Sequence, residues 1–132
     1  MEKIMAAHGI PYVATACVSF PDDYMEKLKK ALHISGPKFI DLLCPCPTGW
    51  GFDSKDGIDI GKLAVQTGIW PLYEIERGNL KITHKPKKLR PIEDYFSRQK
   101  RFSHLTKNQI RMIQRVVGER WEELLKGDFY GF

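Results

Sequence analysis

Two short apolar segments that flank a helix-type segment constrain the fold of this chain most. Residues 12–18 (YVATACV) are almost entirely apolar and rich in β-branched side chains, which is typical of a strand buried on both faces. Pro21, followed by two aspartates, predicts a helix start, and residues 38–44 (KFIDLLC) predict a second strand. A strand, a helix and a strand within about 35 residues indicate a βαβ unit with parallel strands and a right-handed crossover.

The next part of the chain predicts a helix followed by a β-hairpin. Residues 57–67 place apolar side chains on one helical face. Residues 70–84 predict a hairpin that turns at Arg77-Gly78-Asn79, and the alternation in its first strand puts Leu72 and Glu74 on the opposite face from Tyr73 and Ile75. The helix of the βαβ unit is expected to have one apolar face, formed by Tyr24, Leu28, Ala31 and Leu32.

The C-terminal third predicts a basic linker and a helical tail. Residues 85–90 (KPKKLR) form the linker, residues 91–96 begin a short helix, and a long helix ends near Lys126. Thr106 and Gln109 form a capping-box signature at its start. Its predicted apolar stripe consists of Ile110, Ile113, Val116, Val117, Trp121, Leu124 and Leu125. Two strands and one hairpin leave sheet faces and edges uncovered, so the chain is predicted to be the second half of a larger α/β domain.

Composition and charge exclude several classes of protein. The 132 residues are 42% hydrophobic and 28% charged, which is ordinary for one globular domain and excludes general disorder. No apolar run is long enough for a membrane span, and we see no secretory signal, so the expected compartment is the cytoplasm. The net charge of +5 belongs to the second half: residues 1–66 carry a net −1 and residues 67–132 a net +6. This basic excess fits nucleic acid, an acidic partner subunit or solvent.

The three cysteines are predicted to share one rim of the sheet. Cys17 lies near the end of the first strand, and Cys44 and Cys46 follow the second. Parallel strands end at the same edge, where α/β domains form their functional crevice. An odd number of cysteines argues against a disulfide framework and cannot complete a four-cysteine metal site within one chain.

The stretch CPCPTGWG at residues 44–51 contains the side chains best suited to bind a metal. Its prolines and glycines predict a rigid, non-helical path at the rim of the sheet. Cysteine followed by proline recurs in iron–sulfur ligation, where the turn aims the thiolate outward. The alternative is two small, half-buried thiols at a strand end.

Four blocks of the sequence resemble one known family. These blocks are AAHGIPYVATA, GPKFIDLLCPCPTGWGF, LAVQTGIWPLYEIERG and the tail from residue 85 to residue 106. They resemble, in the same order, the C-terminal part of the β subunit of pyruvate:ferredoxin oxidoreductases (pyruvate synthases), within the 2-oxoacid:ferredoxin oxidoreductase family. That split-subunit type is found in anaerobic archaea and bacteria. The resemblance covers nearly the whole chain.

The resemblance implies a fold and a division of the chain. The fold is α/β: the C-terminal half of a thiamine-diphosphate-binding-type parallel-sheet domain, with a β-hairpin and a helical C-terminal tail. Residues 1–69 then form the βαβα half of that domain, residues 70–84 the hairpin, and residues 85–132 a basic linker and helical tail that acts as a subunit-interface arm.

The resemblance also implies a reaction. Such complexes oxidatively decarboxylate a 2-oxo acid with thiamine diphosphate and Mg²⁺, form acyl-CoA, and pass electrons through iron–sulfur clusters to ferredoxin. By the match to the PCPTGW block, Cys46 is the fourth ligand of a proximal [4Fe–4S] cluster whose other three cysteines lie in the N-terminal part of the subunit. Cys44 is outside that pattern and is either incidental or a competitor for metal. No catalytic residue is implied in this chain.

The chain lacks the rest of that machinery. The family's Gly-Asp-Gly signature for Mg²⁺ and diphosphate is absent, and the nearest string, KDGIDIG at residues 55–61, is predicted to start a helix instead. The three other cluster cysteines are absent too. The expected partners are therefore the remainder of the β subunit and the other oxidoreductase subunits, with ferredoxin and CoA acting on the complex.

The sequence leaves two alternatives open. The basic tail interleaves Tyr95, Phe96 and Phe102 with lysines and arginines, as in surfaces that stack nucleic-acid bases, but no nucleic-acid motif accompanies it. We therefore expect a subunit-interface arm and no nucleic-acid or membrane partner. The alternative function is a non-catalytic protein-interaction module that retains part of the fold.

The four histidines are scattered, without metal-ligand spacing.

Overall fold

The computed structural model describes residues 1–127, so the last residues of the predicted segment 85–132 lie outside the described part. The helices are α1 (Glu2–Ala7), α2 (Pro21–His33), α3 (Pro47–Trp50), α4 (Gly57–Gln66), α5 (Glu93–Phe96) and α6 (Lys107–Leu125). The strands are β1 (Tyr12–Cys17), β2 (Lys38–Leu43), β3 (Leu72–Glu76) and β4 (Asn79–His84). Short 3₁₀ turns cover Ser54–Asp56 and Lys100–Phe102. The predicted α/β class is confirmed.

The four strands form one mixed sheet in the order β2-β1-β3-β4. β1 and β2 are parallel and in register from Tyr12 opposite Lys38 to Cys17 opposite Leu43, as the βαβ pattern predicts. β3 pairs antiparallel with both β1 and β4, so the hairpin extends the sheet of the βαβ unit. β2 is an edge strand, and no other strand of residues 1–127 pairs with its outer side.

β1 is the centre of the core. All six of its residues are buried, as predicted for a strand covered on both faces. α1 and α6 cover the face that includes Val13, where Ala6, Trp121 and Leu124 pack. α2 covers the opposite face through Ala31, against Tyr12. Helices on both faces explain why β1 carries almost no polar side chain.

The predicted apolar face of α2 was wrong at Leu32. Leu32 is 83% exposed, whereas Lys27 is only 2% exposed and lies on the inner face with Ala31. Lys27 Nζ donates to the carbonyl oxygen of Thr15 at 2.8 Å and to Asp23 at 2.6 Å. Burial lowers the pKa of Lys27, and the Asp23 carboxylate opposes that shift. The buried hydrogen bonds, rather than the apolar pattern, set the helix face.

The alternation predicted for β3 is confirmed: Tyr73 and Ile75 pack together in the cluster around Val13, and on the opposite face, which α2 covers, lies Glu74. This side chain is 5% exposed, because β3 lies inside the sheet rather than at its edge. Tyr12 Oη and Lys30 Nζ donate to the two carboxylate oxygens at 2.8 and 2.9 Å. The turn that follows has two residues, with φ of 47° at Arg77 and 83° at Gly78, which fits a tight hairpin turn.

The long tail helix packs back on the sheet. Its capping box is confirmed: Thr106 Oγ1 accepts from the Gln109 N–H at 3.3 Å, and Gln109 Oε1 accepts from the Thr106 N–H at 2.8 Å. Its buried stripe is narrower than predicted, because Val116 and Leu125 are more than one-third exposed. Neither this helix nor any other in residues 1–127 combines the length and apolar character needed to cross a bilayer.

Candidate functional site

The three cysteines lie at the same end of the sheet but in different environments. Cys17 is the last residue of β1, opposite Leu43 at the end of β2, and Cys44 and Cys46 follow directly. Cys17 is buried, with Sγ 3.8 Å from the carbonyl oxygen of Gly61, and burial raises the pKa of its thiol. Cys44 and Cys46 are exposed. Cys17 is therefore a packing residue, and the two exposed thiols are the ones available for chemistry.

The segment that carries Cys46 is helical, so the prediction of a non-helical path was wrong. Cys46 caps α3, its Sγ accepts from the Gly49 N–H at 3.4 Å, and its carbonyl oxygen accepts from the Trp50 N–H at 2.9 Å. Proline suits the first position of a helix because it has no N–H to leave unpaired there, and Pro47 occupies that position. Gly51, with φ of 72°, ends the turn.

The tail segment contacts this turn directly. The Lys100 N–H donates to the carbonyl oxygen of Gly51 at 3.1 Å, and a Cβ at Gly51 would lie 2.7 Å from Lys100 Cβ. The Arg101 guanidinium carbon lies 3.7 Å from the centre of the Trp50 ring. Sequence reasoning missed this contact, because no spacing rule links residues so far apart in the chain.

The chain by itself does not hold a complete metal or diphosphate site. No group of three or more His, Cys, Asp and Glu side chains within residues 1–127 is placed to hold a metal ion. Cys46 fits as a single soft ligand, since its thiol is exposed beside a proline-bounded turn. The KDGIDIG string starts α4 as predicted, and Gly61 packs closely against Ser19, so these residues do not form a diphosphate loop.

The edge strand that leads to the two exposed thiols is only partly covered. Phe39, Ile40, Leu42 and Leu43 of β2 are all half-buried, although the neighbouring β1 is fully buried. The outer backbone groups of β2 have no strand partner within the described residues. An apolar edge strand of this kind is a template for pairing with another strand.

Comparison with known proteins identifies the relatives of the chain. No family model matches it. The pyruvate synthase subunit PorB of Methanocaldococcus jannaschii is 58% identical over 120 residues, which is 91% of this chain and 40% of that subunit. The chain is a homologue of PorB. It is also 52% identical to the PorB of Methanothermobacter marburgensis over 94% of its length.

A second group of relatives carries a different substrate in its name. The ketoisovalerate oxidoreductase subunit VorB of Pyrococcus furiosus is 48% identical over 125 residues, or 93% of this chain. The chain covers 40% of that VorB and 43% of the Methanothermobacter PorB, so it spans about two-fifths of the curated relatives it matches. PorB and VorB are subunits of 2-oxoacid oxidoreductases, which confirms the predicted resemblance.

Proposed function

We propose that this chain is a C-terminal segment of the β subunit of a 2-oxoacid:ferredoxin oxidoreductase, with pyruvate as its substrate. The complete complex converts the 2-oxo acid to acyl-CoA and passes electrons through iron–sulfur clusters to ferredoxin in the cytoplasm. The observation that carries this proposal is the 58% identity to a PorB over 91% of the chain. The isolated chain is not expected to be active, because it spans two-fifths of that subunit.

Within that complex, the proposed task of Cys46 is to bind iron. When bound, a [4Fe–4S] cluster supplies one-electron transfer, and cysteine thiolates are its usual ligands. The Cys46 thiol is exposed at the carboxyl end of the parallel strands, where a partner can complete the ligand set. The Gly49 N–H points at its sulfur from 3.4 Å, and hydrogen bonds of this kind tune the potential of a cluster.

The rest of the subunit is proposed to supply what this chain lacks. We assign to it the other three cluster cysteines and the residues that bind thiamine diphosphate and Mg²⁺. The half-buried apolar edge strand β2 offers the place for that part to dock by strand pairing. Docking there would bring its ligands beside Cys44 and Cys46, which directly follow β2.

The basic tail is proposed to bind other subunits of the complex. The charged side chains of the linker that are exposed to solvent include Lys85, Lys87 and Lys88. Arg90, in contrast, forms an ion pair with Asp94 at 2.8 Å. Two of the three aromatic side chains that suggested base stacking are not available, because Tyr95 and Phe96 are 3% and 7% exposed, and the third, Phe102, is half-buried. This burial favours a protein interface over a surface for single-stranded nucleic acid.

Reconstitution tests the proposal. The chain is co-expressed under anaerobic conditions with the missing N-terminal part of a PorB and with the other subunits of that pyruvate synthase. We expect a brown complex that reduces ferredoxin when pyruvate and CoA are added, and no activity when this chain is left out. A chain that stays colourless and never enters the complex would contradict the proposal and support a separate interaction module.

A further inference from the structure

We propose that Arg101 is a positioning residue for Cys46, acting through Trp50. This inference rests on the proposed role of Cys46 as a cluster ligand. The arginine lies in the tail segment, far along the chain from the cysteine, and its side chain joins the tail to the turn that carries the thiol. The tail thereby supports the ligand in addition to its proposed role at a subunit interface.

The Arg101 guanidinium is itself fixed. Its Nε donates to Gln99 Oε1 at 3.0 Å, and its Nη2 donates to Tyr95 Oη at 3.0 Å. Gln99 and Tyr95 are 2% and 3% exposed, and Gln99 Nε2 donates to the Tyr95 carbonyl oxygen at 2.7 Å. A planar guanidinium held by two hydrogen bonds to buried groups has little freedom to rotate.

The fixed Arg101 guanidinium contacts the turn that carries Cys46. The guanidinium carbon lies 3.7 Å from the centre of the Trp50 ring and 4.5 Å from that of Phe102, so it contacts two aromatic rings. A cation–π contact becomes stronger when the arginine is partly removed from water, as it is here. The neighbouring Lys100 adds a backbone hydrogen bond to Gly51 at 3.1 Å.

Trp50 is hydrogen-bonded to the backbone of Cys46. The Trp50 N–H donates to the Cys46 carbonyl oxygen at 2.9 Å, so the ring held by Arg101 belongs to the residue that closes the turn. α3 has only four residues, and a helix this short does not hold its shape without outside contacts. A metal ligand needs a fixed position, which supporting side chains commonly provide.

Hydrogen exchange in this chain tests the inference without any cluster. Arg101→Met removes both the positive charge and the planar guanidinium group. Arg101→Lys keeps the positive charge but not the planar group with its several N–H donors. We expect amide exchange in residues 46–52 to become about fivefold faster in both variants, because methionine removes the cation over Trp50 and lysine lacks the guanidinium that the two hydrogen bonds hold against that ring. Exchange in residues 12–17 should stay unchanged, which separates this local effect from unfolding.

Arg98→Met is the matched control. Arg98 is exposed in the same segment, and its side chain makes no hydrogen bond, ion pair or ring contact within residues 1–127. Its variant should exchange like the original chain. Unchanged exchange of residues 46–52 in Arg101→Met would overturn the positioning role.

The assembled complex gives a second readout. We expect Arg101→Met to keep its iron but to show a shifted cluster potential and an altered electron paramagnetic resonance spectrum, since the sulfur ligand on the loosened turn is no longer held in one position. An unchanged potential and spectrum would also overturn the inference. Full iron content in a Cys46→Ser complex would instead contradict the proposed function, so the two failures are distinguishable.

Discussion

Thr15 and Tyr73 are joined where strands β1 and β3 stop pairing through their backbones. The Tyr73 N–H donates to Thr15 Oγ1 at 3.0 Å, and the same hydroxyl donates to the Pro71 carbonyl oxygen at 2.7 Å. Nearby, Trp70 Nε1 donates to the Ala16 carbonyl oxygen at 2.9 Å. Side chains therefore replace the missing ladder bonds at the end of the sheet that leads to the candidate site.

Thr15→Val should destabilise the chain. Valine keeps the shape of threonine but removes every hydrogen bond of the buried hydroxyl, and we expect the free energy of unfolding to fall by about 1–3 kcal/mol. Chemical denaturation followed by circular dichroism measures it. Thr48→Val, at an exposed position, is the control and should change the stability by less than about 0.5 kcal/mol. Equal stability of the two variants would show that the hydroxyl bridge does not matter.

Glu74 should make the stability depend on pH in the acid range. Burial raises the pKa of its carboxyl, but hydrogen bonds from Lys30 and Tyr12 outweigh this and hold the pKa below its ordinary value of 4.5. A carboxyl with a lowered pKa contributes stability above 4.5 that is lost as the pH falls through the folded-state value. Glu74→Gln should therefore lose stability at pH 7 and show a flatter decline in stability below pH 5.

Glu76→Gln is the matched control for this test. Glu76 also pairs with Lys30, at 2.7 Å, but its side chain is 40% exposed, so the pair is screened by water. Thermal unfolding from pH 3 to pH 7 compares the two variants with the original chain. A Glu74 variant whose pH profile matched that of the Glu76 variant would contradict the role of burial.

Replacing a glycine with alanine should have opposite effects on stability at two positions. Gly51→Ala should cost about 1–3 kcal/mol, because φ is 72° and the new Cβ would lie 2.7 Å from Lys100 Cβ. Gly118→Ala should stabilise the chain by up to about 1 kcal/mol, since Gly118 lies inside α6 and the added Cβ would meet nothing within 4 Å beyond the adjoining backbone of its own helix. Melting temperatures measure both. A neutral Gly51 variant would mean that the turn and the tail are not in close contact.

The sequence was sufficient for features that depend on local chemistry. β1 was predicted from its apolar, β-branched composition, and the start of α6 from the spacing of Thr106 and Gln109. The position of the three cysteines at one end of the sheet followed from the parallel pairing of consecutive strands. These features need only short-range patterns and one topological rule.

Features set by distant contacts were not accessible from the sequence. The burial of Lys27 depends on the Thr15 carbonyl oxygen across the helix–sheet contact, and the apolar pattern of α2 pointed to Leu32 instead. The contact of Arg101 with Trp50 joins two segments that no periodicity relates. Pro47 was interpreted as a helix breaker, although proline favours the first turn of a helix where it stands here.

The iron content of two cysteine variants tests the central claim most directly. Cys46→Ser and Cys44→Ser change neighbouring exposed thiols on the same segment, so both variants should assemble equally well with the proposed remainder of the subunit and its proposed partner subunits. After anaerobic reconstitution, we predict that the Cys46 variant loses iron and pyruvate-dependent ferredoxin reduction, whereas the Cys44 variant keeps most of both. Equal iron and equal turnover in the two complexes would contradict the assignment of Cys46 as the ligand that this chain contributes.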